Sequence, residues 1–174
     1  VLQAVFQTKR SCPRHILYLE SGMIPARYQV HRQMINFLQY LLTQPSESLL
    51  NRMYMTQKEN PSKGDWVSKV TQLLIEYEIT LSMDKIQFMK PRLFKVLVKR
   101  KIHQKAFRDL VSRKNNGQKG CKIQYETLDL AAYLTSKSNI SVKDKIETFA
   151  YRSEMNELPC NYGNKTKCEM GCHS

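Results

Sequence analysis

The sequence has little of the material that would mark several common protein classes. Six glycines and six prolines in 174 residues exclude collagen-like and low-complexity chains. No apolar run exceeds a few residues, too short to cross a bilayer as a helix, so no membrane partner is expected. No apolar core of a signal peptide follows Val1. The expected location is therefore intracellular, nuclear or cytoplasmic, and not secreted. Enzyme signatures are missing as well. The chain carries no phosphate-binding glycine loop, no dinucleotide fingerprint and no His-Glu-x-x-His string. No two aspartates are adjacent, and no trio of carboxylates has the spacing of a two-metal site. No catalytic residue is expected in this chain.

Carboxylates are scarce too. Asp and Glu number 15 against 28 Lys and Arg, a formal charge of +13. The excess is concentrated. Residues 90–122 hold 12 basic side chains and one acidic, whereas residues 1–89 hold 10 and 7, and residues 123–174 hold 6 and 7. Like charges at that density repel each other, and a polyanion relieves the repulsion by replacing small counterions. The candidate contacts are Lys95, Lys99, Arg100, Lys101, Lys105 and Arg108, meeting phosphates of RNA or DNA without reading bases. Two alternatives stand beside this: a helical scaffold module whose basic face takes an acidic protein, and a non-functional remnant of a mobile element.

The remaining composition is globular, with 41% hydrophobic and 25% charged residues. That suits one domain of ordinary size, or one domain and a short appendage. The pattern predicts an all-α fold, an irregular bundle of about six to eight helices with an irregular Cys-bearing C-terminal tail. Pro13 and Gly22 bracket a first helix, with Ser11 as its cap. Pro25 opens a second, with Val30, Met34, Phe37, Leu38, Leu41 and Leu42 as its apolar stripe. Ser46 is the expected cap of a third, with Leu49, Leu50, Met53 and Tyr54 on one face, ending at Asn60-Pro61. Asp65 caps a fourth, which would bury Trp66 against Leu38, Leu41 and Leu73. Ser82 opens a fifth.

Pro91 starts a long basic helix, 91–113. Its apolar residues do not form one stripe. Leu93, Phe94, Leu97 and Val98 point one way, and Ile102, Ala106, Phe107 and Leu110 roughly the other. Either the helix kinks at Lys99-Arg100-Lys101, or its halves pack against different partners. The polar loop Asn115 to Gly120 marks a boundary. A strand over Lys122 to Glu126, a short helix over Thr127 to Leu134 and a Ser141-capped helix follow. The expected organisation is a helical domain over 1–114, a loop with a short helical subdomain over 115–156, and an irregular tail over 157–174.

Five cysteines, an odd number, argue against a disulfide framework. Cys12 and Cys121 read as isolated buried thiols. Cys168 and Cys172 form a Cys-x3-Cys pair with Gly171 at the turn, a spacing that lets two thiolates reach one zinc ion. The pair supplies half a tetrahedral site, and Cys160 or His173 are the candidates for more. The chain begins at Val1 and stops inside this cysteine cluster, so it reads as an excerpt of a longer protein.

Specific strings extend this picture. Leu17-Tyr18-Leu19-Glu20-Ser21-Gly22, Ile24-Pro25-Ala26-Arg27-Tyr28, Lys63-Gly64-Asp65-Trp66, Arg152-Ser153-Glu154-Met155-Asn156 and Leu158-Pro159-Cys160-Asn161, with Cys168 and Cys172, resemble the C-terminal part of non-LTR (LINE-type) retrotransposon polyproteins. That part lies downstream of the reverse transcriptase core. The resemblance spans nearly the whole chain. It implies a helical connector followed by a zinc knuckle, truncated here, in a protein that handles template or target nucleic acid. The Tyr-x-Asp-Asp string of the polymerase, the later His and Cys of the knuckle and an Asp/Glu-x-Lys endonuclease core are all missing from this sequence. The resemblance therefore implies binding, with Cys168 and Cys172 as the matched positions, and no catalysis by this chain.

Overall fold

A computed structural model describes residues 13–62, 64–116, 125–135 and 139–152. Among the described residues the fold is all-helical. It comprises α1 (Arg14–Ser21), α2 (Ala26–Leu42), α3 (Leu49–Glu59), α4 (Trp66–Glu76), α5 (Met83–Phe88), α6 (Pro91–Asn115), a 3-10 turn (Ala132–Leu134) and α7 (Val142–Arg152). The chain divides into two compact units. One is Ile24–Ala106; the other joins Val1–Met23 to Phe107–Ser174.

The Ile24–Ala106 unit is built around α2, which packs against α3, α4 and α5. Short polar side chains fix the helix starts. Ser48 accepts from the Asn51 amide, Asp65 from the Ser68 amide and Ser82 from the Lys85 amide, each satisfying one orphan donor of a first turn. Ser48 replaces the expected Ser46 as the α3 cap. Asp65 also accepts from the Ser62 amide at 2.8 Å, and its backbone bonds to Ser68 and Ser62 hold its carboxyl below the usual range.

Two apolar stripes differ from the sequence expectation. On α2 the buried side chains are Tyr28, Ile35, Leu38, Gln39, Leu41 and Leu42, while Val30 and Phe37 face solvent. The buried stripe includes a polar Gln39 and a Tyr28 that hydropathy alone passes over. On α3 only Tyr54 is buried; Leu49, Leu50 and Met53 are exposed. Trp66 is half-buried, not a core residue. It meets the Phe37 ring edge-on, with centroids 5.6 Å apart. The α4 core consists of Val70, Leu73 and Leu74. A ring cluster joins α2 to the end of α4: the His31 Nδ1 and the Tyr77 hydroxyl lie 2.6 Å apart, and Tyr28 lies edge-on to both.

Helix α6 runs unbroken over 25 residues, through Lys99-Arg100-Lys101. Its buried positions are Phe94, Val98, Ile102, Ala106, Leu110 and Lys114, a ridge of strict four-residue spacing. Four residues advance about 40° beyond a full turn, so the ridge winds around the helix. That drift is why the apolar residues point in opposite directions at the two ends. Phe94 to Ala106 belong to the Ile24–Ala106 unit, and Leu110 and Lys114 to the other.

In the second unit α1 organises an irregular segment. Glu20 is fully buried, and its carboxylate accepts from the hydroxyls of Tyr125 and Tyr133, the latter at 2.9 Å. Its carbonyl accepts from the Ala131 amide at 2.9 Å. A buried carboxylate needs such donors, because leaving it unpaired costs several kcal/mol. Gly22 ends α1 at φ 65°, and a Cβ there would stand 2.5 Å from the Leu130 nitrogen. Only glycine fits both the left-handed backbone and that approach. The helix expected over Thr127 to Leu134 is irregular apart from the 3-10 turn, and the described end of the expected strand, Tyr125 and Glu126, is irregular as well. Ser141 caps α7 by accepting from the Asp144 amide at 3.2 Å.

Candidate nucleic-acid interface

The basic segment is helical because nothing in it resists a helix. Pro91 sits where a missing N–H costs nothing, and Lys, Arg, Gln, Leu and Ala fill most of the following positions with good helix formers. No Asp or Glu occurs between Asp84 and Asp109. The first turn of α6 carries Arg92 and no carboxylate, the reverse of what the helix dipole favours.

At i, i+3, i+4 and i+7 spacing, Arg92, Lys95, Val96 and Lys99 share one face of α6. Opposite them stand Arg32 and Asn36, one turn apart on α2. Together the six residues line a cleft of about 570 Å³. Helix α2 has no acidic residue at all. Among the described residues, none of Arg32, Arg92, Lys95 and Lys99 has an ion-pair partner. The Asn36 Oδ1 atom is buried and has no hydrogen-bond partner. Four cations therefore converge on a single concavity. Such a site suits an anion with several acceptor oxygens, because Arg and Lys donate charge-assisted hydrogen bonds to phosphate.

The cleft gathers some of the sequence-predicted contacts and not others. Lys95 and Lys99 line it. Arg100 is exposed on a neighbouring face of α6. Lys101 is half-buried, with its Nζ 3.6 Å from the Glu78 carboxylate. Glu78 itself sits at φ 54°, an unusual conformation for a residue with a side chain. Lys105 is half-buried, and Arg108 is exposed in the other unit. Cys168 and Cys172 lie outside the described residues, as do Cys160 and His173. Among the described residues no group of three His, Cys, Asp or Glu side chains is placed to hold a metal.

Arg32, Asn36 and Arg92 were not evident as site residues. Their signal was present in the sequence as a carboxylate-free α2 with Arg32 and Asn36 at i, i+4, but the partner helix could not be assigned from spacing. Comparison with protein-family models, curated proteins and solved structures finds no match. Among the described residues no helix is long and apolar enough to cross a membrane.

Proposed function

We propose that this chain is a non-catalytic nucleic-acid-binding connector, holding RNA or DNA by its phosphates through the α2–α6 cleft. The observation that carries this reading is the convergence of Arg32, Arg92, Lys95 and Lys99 on one concavity with no carboxylate lining it. Each neutralised phosphate releases counterions, so binding should weaken steeply with salt and depend little on sequence. The resemblance to the region downstream of a retrotransposon reverse transcriptase agrees with a role in positioning template or target while the chemistry happens elsewhere.

Cys168 and Cys172 enter this proposal from the sequence alone, as two thiolates of a zinc knuckle, half of a tetrahedral site. A zinc titration followed by backbone amide spectra of the tail tests that part.

For the cleft, the experiment is equilibrium binding of a labelled oligonucleotide over a range of salt, with heparin and an acidic peptide as competitors. Heparin should displace the oligonucleotide and the peptide should not. Displacement by the acidic peptide at lower concentration would favour a scaffold module instead.

A further inference from the structure

Beside the cleft, α2 presents two aromatic rings to solvent. Phe37 and Tyr40 are 42% and 50% exposed. Their rings stack with centroids 5.8 Å apart and planes 23° apart, and Trp66 braces Phe37 edge-on. Tyr40 follows Arg32 and Asn36 in the same i, i+4, i+8 row of α2. It therefore lies roughly 12 Å along the helix from Arg32, at about 1.5 Å per residue, and one turn beyond Asn36. An exposed ring thus stands one helical turn from the cleft-lining Asn36.

We propose that the nucleic acid held here is single-stranded, with its backbone phosphates in the cleft and an adjacent base stacked on the outer face of Tyr40. The inference rests on the phosphate-binding reading above and adds the strand class. A duplex keeps the faces of its bases inside its own stack, whereas a single strand offers them to aromatic side chains beside a basic groove. A base does not insert between Phe37 and Tyr40. That would need about 6.8 Å, twice the 3.4 Å spacing of stacked bases, more than the two rings leave. Phe37 and Trp66 instead fix the ring on which the base rests.

The test uses the whole chain with two probes of equal phosphate number, a labelled oligothymidylate and a blunt DNA duplex. The single strand should bind at least about fivefold tighter, the low end of base–aromatic stacking. The only tryptophan of the chain, in contact with Phe37, should change its fluorescence with the single strand and not with the duplex. Tyr40→Leu should lose that fivefold preference, Tyr40→Phe should keep it, and Lys99→Ala should weaken both probes. Circular dichroism shows that each variant is folded, and Tyr40→Phe against wild type keeps a readout if Tyr40→Leu is not. Equal affinity for both probes, with Tyr40→Leu inert and Lys99→Ala active, would overturn the single-strand assignment and leave phosphate binding intact. Failure of both probes to bind at physiological salt would overturn the underlying reading and this one together.

Discussion

The side-chain amide of Gln39 donates to the Met89 carbonyl at 2.9 Å, and to the Ile86 carbonyl at the same distance. Gln39 is almost fully buried, so both of its N–H groups are used on backbone that would otherwise be unsatisfied. The two carbonyls close α5 just before Pro91 begins α6. One amide thus sets where Arg92, Lys95 and Lys99 stand relative to Arg32 and Asn36. Gln39→Leu keeps the volume and removes both donors. It should cost about 1–3 kcal/mol, read as a lower denaturant midpoint at unchanged slope, and it should also weaken oligonucleotide binding. An unchanged midpoint would mean that water replaces the amide at no cost.

Much of the helical frame was legible in the sequence because its punctuation is local. Gly22, Pro25, Asp65, Ser82 and Pro91 each act within a turn of where they stand, and each bounds a helix as expected. Burial was less legible because it is set by partners far along the chain. Gln39 is buried because Ile86 and Met89 offer it acceptors, and Glu20 because Tyr125 and Tyr133 do. Phe37 and Trp66 have core-like hydropathy, yet they meet each other at the surface. The drift of the α6 ridge was visible as two opposed apolar groups. The candidate site was half legible: charge density pointed to Lys95 and Lys99, while Arg32 and Asn36 needed the packing of α2.

The salt dependence of binding should separate cleft cations from the others. Replacing Arg32, Lys95 and Lys99 together with Ala should flatten the slope of log affinity against log salt by about 2–3 units, at 0.7–0.9 per phosphate. Lys101→Ala alone should change it by much less than one unit, because Glu78 already faces that ammonium. An unchanged slope in the triple variant would make the cleft a bystander.

Stability should rank the aromatic residues by burial rather than by size. Phe94 is fully buried on the α6 ridge, and Phe94→Ala should cost about 3–5 kcal/mol. Trp66 loses mainly one edge-on ring contact and part of its area, so Trp66→Ala should cost about 1 kcal/mol. Chemical denaturation of the two variants checks the order. A Trp66 variant as damaged as the Phe94 variant would return Trp66 to the core.

The last expectation concerns pH and the second unit. His15 lies in α1, and its Nε2 atom is buried without a hydrogen-bond partner. Protonation would place a charged donor at that buried atom. Burial first, and then the charge of Arg113, push its pKa below the ordinary 6.5. Between the lowered folded value and 6.5 the unfolded chain therefore holds more protons than the folded one. Stability should rise with pH through that window and level off above 6.5, because the neutral imidazole is then shared by both states. Acidification from neutrality should correspondingly lower the denaturant midpoint. His15→Leu, which cannot titrate, should flatten the curve in this interval. The direct check is the imidazole proton resonance of His15 followed against pH. A midpoint below 6.5 is expected; one above it would mean that the charged form is stabilised, and Arg113 could not then be the nearest dominant charge.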